Sequence, residues 1–209
     1  MDDGGAGSAG SAANILRAAT ELFGEAGFES MSVAAIATRA GVSKANVFHH
    51  FASKEGLYLA VIRELSREHA ELAESIASEP GSCADKLRRL FRAELGLMFD
   101  SECRTRLLLR SLETACGKAK HMARQALHRN FVAVYALLED GRRRGEFRKD
   151  FDAAAATLSL IAAKNLYFQS HDVLGQVEET KHLMDMNRYA EQICDVMLRG
   201  LQASAEAPR

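Results

Sequence analysis

The sequence predicts an all-α protein of about nine helices, and three observations support this fold class. Its 209 residues contain two prolines, Pro80 and Pro208, so few positions interrupt a helical hydrogen-bond ladder. Ala, Leu, Glu and Arg are frequent, and these residues favour helix over sheet. Hydrophobic residues make up 47% of the chain, which is enough to bury a core.

The charges of the chain nearly cancel, because 27 basic residues face 28 acidic ones. This balance excludes a globally basic nucleic-acid binder, so any site for a polyanion must be local. The start Met1-Asp2-Asp3 lacks the basic residues of a signal peptide, and no apolar run is long enough to span a bilayer. We therefore expect a cytoplasmic protein.

The cysteines are scattered, without a Cys-x-x-Cys pair, at Cys83, Cys103, Cys116 and Cys194. This spacing favours reduced thiols over a zinc site or a disulfide framework. No third ligand accompanies Cys116 and His121, so we expect neither a metal nor a cofactor.

The amino-terminal residues 1–13 are mostly Gly, Ser and Ala, and they predict a flexible arm. The first helix is expected over 14–26, where Ile15, Leu22 and Phe23 lie on one stripe. Gly27 supplies the left-handed residue that ends this helix.

Two very short helices follow the first. Ser32 caps Val33–Ala40, Gly41 turns the chain, and Ser43 caps Lys44–Phe51. Further helices are expected over 54–79, 85–100, 105–115, 119–144, 152–174 and 187–201. No repeat is visible, so a solenoid is not expected.

The spacing of Ala37, Gly41 and Val47 is that of a helix-turn-helix. A small residue allows the second helix to cross the first closely, glycine adopts the positive φ of the turn, and an aliphatic residue fills the angle. The small core expected between these helices consists of Ile36, Ala37, Ala40, Val42, Val47 and Phe51. An αα-hairpin within an ordinary bundle is the alternative interpretation of the spacing alone.

The outward face of the second short helix favours DNA binding. No carboxylate lies between Arg39 and Lys54, so positive potential is concentrated there. Asn46 suits adenine, His49 suits a base edge, and Ala45 allows contact with a thymine methyl group. The side chains suited to phosphates are Ser32, Ser43, Lys44 and Lys54. Each serine is alternatively a helix cap alone, and His50 is alternatively a partly buried residue beside Phe51.

Residues 14–64 resemble the amino-terminal domain of the TetR/AcrR family of bacterial transcriptional regulators. The run 41–51 (GVSKANVFHHF) and the run 53–57 (SKEGL) carry this resemblance. The family positions that contact DNA correspond here to Ser32, Ser43, Lys44, Ala45, Asn46, Phe48, His49, His50 and Lys54. Phe48 replaces a frequent tyrosine, so a hydroxyl contact to phosphate is absent.

The resemblance also implies how the chain is organised. A flexible arm (1–13) would precede a helix-turn-helix DNA-binding domain (14–53) and a helical regulatory and dimerisation domain (54–209). It implies a homodimer formed through helices 8 and 9, a ligand cavity among helices 4 to 8, and repression that an inducer relieves. The expected partners are a double-stranded DNA operator, a second copy of the chain and an unidentified small-molecule inducer, with no membrane.

Large apolar residues of the regulatory half are candidates to line the cavity, and they favour a lipophilic or mixed aromatic inducer. They are Phe91, Leu95, Met98, Phe99, Leu108, Leu112, Met122, Phe131, Tyr135 and Phe168. Ordinary core packing is the alternative for each. The arginines of 104–110 and 142–144 suit either an anionic group or a solvated helix face.

Two helical stripes predict the dimer interface, since little of the chain remains to cover them. They consist of Leu158, Ile161 and Ala162, and of Tyr189, Ile193, Val196, Met197 and Gly200. An intramolecular core is the alternative.

No catalytic fingerprint is present, so we do not expect an enzyme. The alternative to ligand-controlled repression is a DNA-binding regulator that responds to a protein partner or acts constitutively. An enclosed pocket of a few hundred Å³ would favour ligand sensing, and a filled regulatory half would favour the alternative.

Overall fold

The computed structural model describes residues 4–114 and 117–202; the side chains of 4–9, 113–120, 122, 123 and 126 lie outside that description. Its described part is helical, with no strand beyond an isolated bridge between Phe147 and Gln202. This confirms the all-α prediction. The α-helices are α1 (Gly4–Ser30), α2 (Val33–Ala40), α3 (Lys44–Phe51), α4 (Lys54–Ser78), α5 (Cys83–Asp100), α6 (Glu102–Thr114), α7 (Gly117–Arg143), α8 (Ala153–Leu174) and α9 (Met186–Leu201).

Most boundaries agree with the sequence predictions because capping residues mark them locally. Asp152 accepts the amide N–H groups of Ala154 and Ala155 and starts α8, as predicted. Asp185 caps α9 in the same way. A 3₁₀ helix at Glu178–Leu183 was not predicted from the sequence, since its start has no side-chain cap.

Helix α1 begins at Gly4, so the prediction that the first helix starts at Asn14 is wrong. Even a segment of Gly, Ala and Ser can extend a helix that later residues have already nucleated, because each added residue forms one more hydrogen bond. Gly27 has a φ of 83° and interrupts the helical geometry, as predicted, although a short helical segment continues to Ser30. Residues 1–3 lie outside the described part.

The chain divides into two compact units. The first contains Met1–Glu68 and Ser101–Ala126, and the second contains His69–Asp100 and Leu127–Arg209. The division falls within α4, between Glu68 and His69, and α6 packs against α1 within the first unit. A Cβ atom at Gly24 would lie 2.1 Å from Cys103 Sγ, so glycine permits this close approach.

The core of the first unit lies between α1, α2, α3, α4 and α6. Its fully enclosed large side chains are Ile15, Phe23, Ile36, Leu57, Ile62 and Leu107. The ring centroids of Phe23 and Tyr58 lie 5.3 Å apart, and those of Phe28 and Tyr58 lie 4.9 Å apart. These rings join the end of α1 to the start of α4.

The second unit has its own core, in which α5 packs against α8 and α9. The rings of Tyr167 and Tyr189 are stacked with centroids 3.8 Å apart. Their hydroxyls donate to the carbonyls of Leu183 and Ala163 respectively, so both polar ends are satisfied. Burial raises the pKa of Tyr189 to about 12.

Candidate nucleic-acid interface

Helices α2 and α3 form the predicted helix-turn-helix. Gly41 adopts a left-handed conformation (φ 69°, ψ 31°), and its N–H donates to the carbonyls of Ala37 and Thr38. Ser43 then starts α3 by accepting the amide N–H of Asn46 at 3.1 Å. The turn is therefore closed by glycine on one side and by a serine cap on the other.

The inward face of the motif packs as predicted. Val47 is 1% exposed and belongs to the same core cluster as Ile36 and Ala37. Ala40, Val42 and Phe51 pack around this cluster as partly buried residues. Burying this side of α3 leaves the opposite side of the helix at the surface.

The outward face of α3 is accessible at most of the positions expected to meet DNA. Lys44, Ala45 and His49 are exposed, and Phe48 is 40% exposed. Lys44 has no ion pair among the described residues, and its ammonium lies 5.8 Å from the centre of the Phe48 ring. This surface offers a cation, a small side chain and an imidazole.

Asn46 differs from its neighbours on α3 because it is half-buried. Its Oδ1 atom is enclosed and has no hydrogen-bond partner in the described part of the chain. A bidentate pair with adenine requires both polar atoms of the carboxamide. Asn46 must therefore rotate before it can read adenine in the way expected from the sequence.

Ser32 and Ser43 both act as helix caps. Their hydroxyl oxygens accept the amide N–H groups of Ala35 and Asn46, each at 3.1 Å. Both serines are exposed, so each O–H donor remains available to a phosphate oxygen. Capping and phosphate contact are therefore compatible.

His50 is partly buried beside Phe51, in agreement with the alternative interpretation, and Lys54 packs against the protein more closely than the sequence indicates. The half-buried His50 ring lies beside Phe51, with centroids 6.1 Å apart. The Lys54 ammonium donates to the carbonyl oxygen of Glu29 at 3.3 Å and lies 4.3 Å from the centre of the Phe28 ring. The positive charge expected around α3 is also reduced at Arg39, which pairs with Glu21 at 3.1 Å.

The junction between α3 and α4 contains two residues, Ala52 and Gly56, to which the sequence analysis assigned no structural role. Ala52 has a φ of 59° and a ψ of −40°. It is the central residue of a three-residue turn, which the Ser53 N–H closes by donating to the Phe51 carbonyl oxygen at 2.6 Å. A Cβ atom at Gly56 would lie 2.2 Å from the same Phe51 oxygen. The sequence did indicate this close contact, because a glycine in the first turn of a helix is unfavourable unless a side chain would not fit there.

The predicted cavity residues belong to both compact units. Phe91 lines a cavity of about 10 Å³ in the second unit. Leu95, Met98 and Phe168 are buried, and the partly buried Phe99 ring lies 5.1 Å from that of Phe168.

The other predicted cavity residues lie elsewhere. Leu108 and Leu112 belong to the first unit, where Leu108 packs on the core. Phe131 and Tyr135 stack on each other along α7, with Tyr135 exposed. The Met122 side chain lies outside those described.

Two polar residues of the second unit escaped the sequence analysis. Glu94 and Lys164 form a buried ion pair, and both line the same cavity as Phe91. The sequence carried a signal, since each charge lies within an apolar helical stripe: Glu94 lies three residues after Phe91, and Lys164 lies three residues after Ile161.

The predicted dimer residues separate into surface and core positions. Leu158 is 57% exposed and Val196 is 70% exposed, and Ala162 and Gly200 are also exposed. Leu166 and Val173 continue the exposed apolar side of α8 and were missed, although their spacing from Leu158 is helical.

Four other predicted dimer residues are buried or partly buried within the second unit. Ile161 is buried and lines the cavity beside Glu94. Tyr189, Ile193 and Met197 pack against the core of the second unit, since they lie on the side of α9 that faces it.

The predicted arginine clusters mostly form surface ion pairs. Arg104 pairs with Glu68, and Arg142 pairs with Glu139 at 2.5 Å. Such pairs are typical of a solvated helix face. Among the described residues, no group of three or more His, Cys, Asp or Glu side chains could hold a metal ion. None of the described helices is long and apolar enough to cross a bilayer.

Comparison with known proteins agrees with this geometry. The family model for bacterial regulatory proteins of the tetR family matches residues 15–61. The transcriptional regulator RutR from Escherichia coli is 47% identical over 51 residues, and this match covers 24% of either chain. The transcriptional regulator TtgR from Pseudomonas putida is 28% identical over 184 residues, which are 80% of this chain and 86% of TtgR.

The fold as a whole resembles solved regulators. The structure of FadR from Bacillus subtilis in complex with stearoyl-CoA superimposes with a TM-score of 0.75 at 18% identity. The superposition covers 91% of this chain and 99% of FadR. At this level of identity the likeness concerns the fold.

Proposed function

We propose that the chain is a homodimeric repressor of the TetR family of bacterial regulatory proteins, and that a small molecule releases it from its operator. The observation that carries DNA binding is the accessible face of α3, which presents Lys44, Ala45 and His49 above the buried Val47. No cofactor and no catalytic step are needed for this function.

The side chains of the motif divide into two kinds of DNA contact. Ala45 and His49 meet base edges in the major groove, and Asn46 joins them after rotation of its carboxamide. Ser32, Ser43 and Lys44 bind phosphate oxygens, as does Lys54 when it leaves Phe28. Phe48 and His50 pack against the sugar-phosphate backbone and fix the register of α3.

Dimerisation through α8 and α9 supplies the second reading helix. An exposed apolar stripe at Leu158, Ala162 and Leu166 is the support for this interface, together with Val196 on α9. A two-fold partner covers such a surface. The two copies of α3 then meet half-sites about one helical turn, ~34–36 Å, apart.

Control by a small molecule has support from chemistry and from a relative. FadR was solved in complex with stearoyl-CoA. In the second unit of this chain, a charged pair lines a cavity whose other walls are apolar side chains. An effector that reverses the operator-bound population almost completely must prefer the released form by about 5.5 kcal/mol.

A second candidate is a regulator that works without a small molecule. It is favoured by the size of this cavity, about 10 Å³, because a preformed ligand pocket has a volume of ~300–1,000 Å³. An effector that binds in this cavity therefore requires the core around it to open.

Selection of bound sequences from random DNA, with the purified full-length chain, tests the function. We expect enrichment of an inverted repeat with half-sites one helical turn apart, and a dimer in sedimentation experiments. Failure to enrich any sequence contradicts DNA-specific regulation. A stable monomer that binds a single half-site contradicts the dimer.

A further inference from the structure

Glu94 and Lys164 form an ion pair deep within the second unit. Glu94 on α5 is 1% exposed, and Lys164 on α8 is 5% exposed. The Lys164 ammonium donates to Glu94 Oε2, and Asn130 Nδ2 on α7 donates to Glu94 Oε1. Three helices therefore converge on one carboxylate.

A small cavity adjoins this ion pair. Its volume is about 10 Å³, the lower limit for holding one water molecule. Apart from the pair itself, its lining is aliphatic and aromatic: Leu87, Leu90, Phe91, Val134, Leu160 and Ile161. The site thus combines an apolar wall with one charged group.

A buried ion pair of this kind contributes little net stability to a core. Taking two charges out of water carries a penalty that their attraction often fails to repay, and apolar residues of similar volume can give an equally stable core. The surrounding helices already share a large apolar cluster. A role in recognition accounts for the pair better than a role in stability.

The hydrogen-bonding capacity of the pair indicates what it can recognise. An ammonium has three donors, and Glu94 is the single hydrogen-bond partner of Lys164 among the described residues. Both oxygens of Glu94 already accept a hydrogen bond. Each Glu94 oxygen keeps a second lone pair, but a buried oxygen that already accepts one hydrogen bond is satisfied, whereas an unpartnered buried N–H is costly. The unmet groups are therefore N–H donors of Lys164, and they call for an acceptor on the ligand.

Charge narrows the choice of acceptor. Glu94 already neutralises Lys164, so a carboxylate or phosphate placed here would leave one uncompensated negative charge in a low-dielectric core. An ammonium ligand would oppose Lys164 directly. An uncharged carbonyl oxygen satisfies the free donors without adding charge.

We propose that Lys164 holds the polar end of the effector, and that this effector is an uncharged, largely apolar molecule with one carbonyl acceptor. The inference rests on the ligand-controlled function proposed above and specifies the chemistry of its site. The apolar body of the effector lies among the aliphatic residues around Leu90 and Leu160. Because the cavity is so small, binding must separate α5, α7 and α8, which links occupancy to a change of conformation.

Calorimetric titration of the full-length chain with 2-nonanone, nonanoate and nonylammonium tests this inference. These probes share the length of their carbon chain and differ in charge. We expect 2-nonanone to bind at least about tenfold more tightly than either charged probe, because it alone meets the free donors without adding charge. Stronger binding of nonanoate, or no binding of 2-nonanone, overturns the inference.

A charge-balanced double variant, Glu94→Gln with Lys164→Met, isolates the role of the pair. Removing both charges avoids leaving one of them buried and unpaired, which protects the fold. Its affinity for 2-nonanone should fall at least about tenfold. Lys86→Met is the matched control, since Lys86 is a second buried lysine of this unit, and its ammonium binds the Ala77 carbonyl instead.

Equal affinity of the double variant and the wild-type chain for 2-nonanone overturns the inference and leaves the pair a structural role. If the double variant fails to fold, the relative affinities of the three probes for the wild-type chain test the inference alone. Operator binding is measured separately in every variant. Ketone binding without operator release contradicts the proposed induction, whereas operator binding with no preference for the ketone contradicts the role of Lys164.

Discussion

The ammonium of Lys54 lies 4.3 Å from the centre of the Phe28 ring and donates to the carbonyl oxygen of Glu29. The first residue of α4 is thereby tied to the end of α1. A cation at this position also favours the helix, because the carboxyl end of α1 carries partial negative charge. Lys54 is therefore a structural residue as well as a candidate phosphate contact.

Replacing Lys54 with alanine should affect both roles. We expect Lys54→Ala to lower the free energy of unfolding by about 1 kcal/mol, because a cation–π contact and a hydrogen bond are lost. It should also weaken binding to all DNA sequences alike. The slope of the logarithm of the binding constant against the logarithm of the salt concentration should decrease in magnitude by about one unit. Urea unfolding and binding at several salt concentrations measure these effects. Lys149→Ala, at an exposed position, is the control; equal behaviour of the two variants would contradict both roles.

Gly56 should tolerate no side chain. In Gly56→Ala the new Cβ would lie 2.2 Å from a backbone oxygen of Phe51, which cannot move without distorting the end of α3. We expect a loss of about 2 kcal/mol or more in stability. In Gly96→Ala no atom lies within 4 Å of the new Cβ. The free energy of unfolding should therefore be unchanged or rise by ~0.5–1 kcal/mol. Similar unfolding curves for both variants would show that the α3–α4 junction is not tightly packed.

Asn46 should contribute to sequence preference. We expect Asn46→Ala to cost about 1–3 kcal/mol of operator affinity and to relax the preference at one base pair. The free protein should lose no stability, because the Asn46 Oδ1 atom forms no hydrogen bond with a described residue. Selection from random DNA with the variant, together with urea unfolding, measures both. A uniform loss at every base would mean that Asn46 only supports the helix.

The buried thiols predict a loss of stability at alkaline pH. Burial raises the pKa values of Cys83 and Cys194 from 9.0 to about 11, so the fold favours their protonated forms. This stabilisation is complete below pH 9 and is lost as the pH rises through about 11. Urea unfolding between pH 8 and 11 should show the decrease, with a smaller decrease in Cys194→Ala. Constant stability across this range would contradict the assignment.

The helix-turn-helix was predictable to the residue because its signals are local. Ser32, Gly41 and Ser43 each act within a few residues of their own position, so the bounds of α2 and α3 follow directly from the sequence. The Glu94–Lys164 pair was not predicted, because its partners are 70 residues apart and meet only after three helices have packed. The small size of the adjacent cavity likewise depends on how side chains fill space, which periodicity does not specify.

Prediction of the dimer interface was limited in the same way. Helical spacing identified Leu158 and Val196 as apolar residues of α8 and α9, and both are exposed. It also selected Ile161, which packs inside the unit. Spacing alone does not distinguish which of two neighbouring stripes on a helix the rest of the chain covers.

Operator affinity of Ala45→Asp tests most directly whether the exposed face of α3 meets DNA. Ala45 is exposed, so the substitution should leave the melting temperature unchanged while placing a carboxylate against the bases and phosphates. We expect affinity to fall at least about 100-fold, because like charges in an interface repel strongly. Ala136→Asp, at an exposed position of α7, should bind the operator as the wild-type chain does. Unchanged operator affinity in Ala45→Asp would contradict DNA readout by α3.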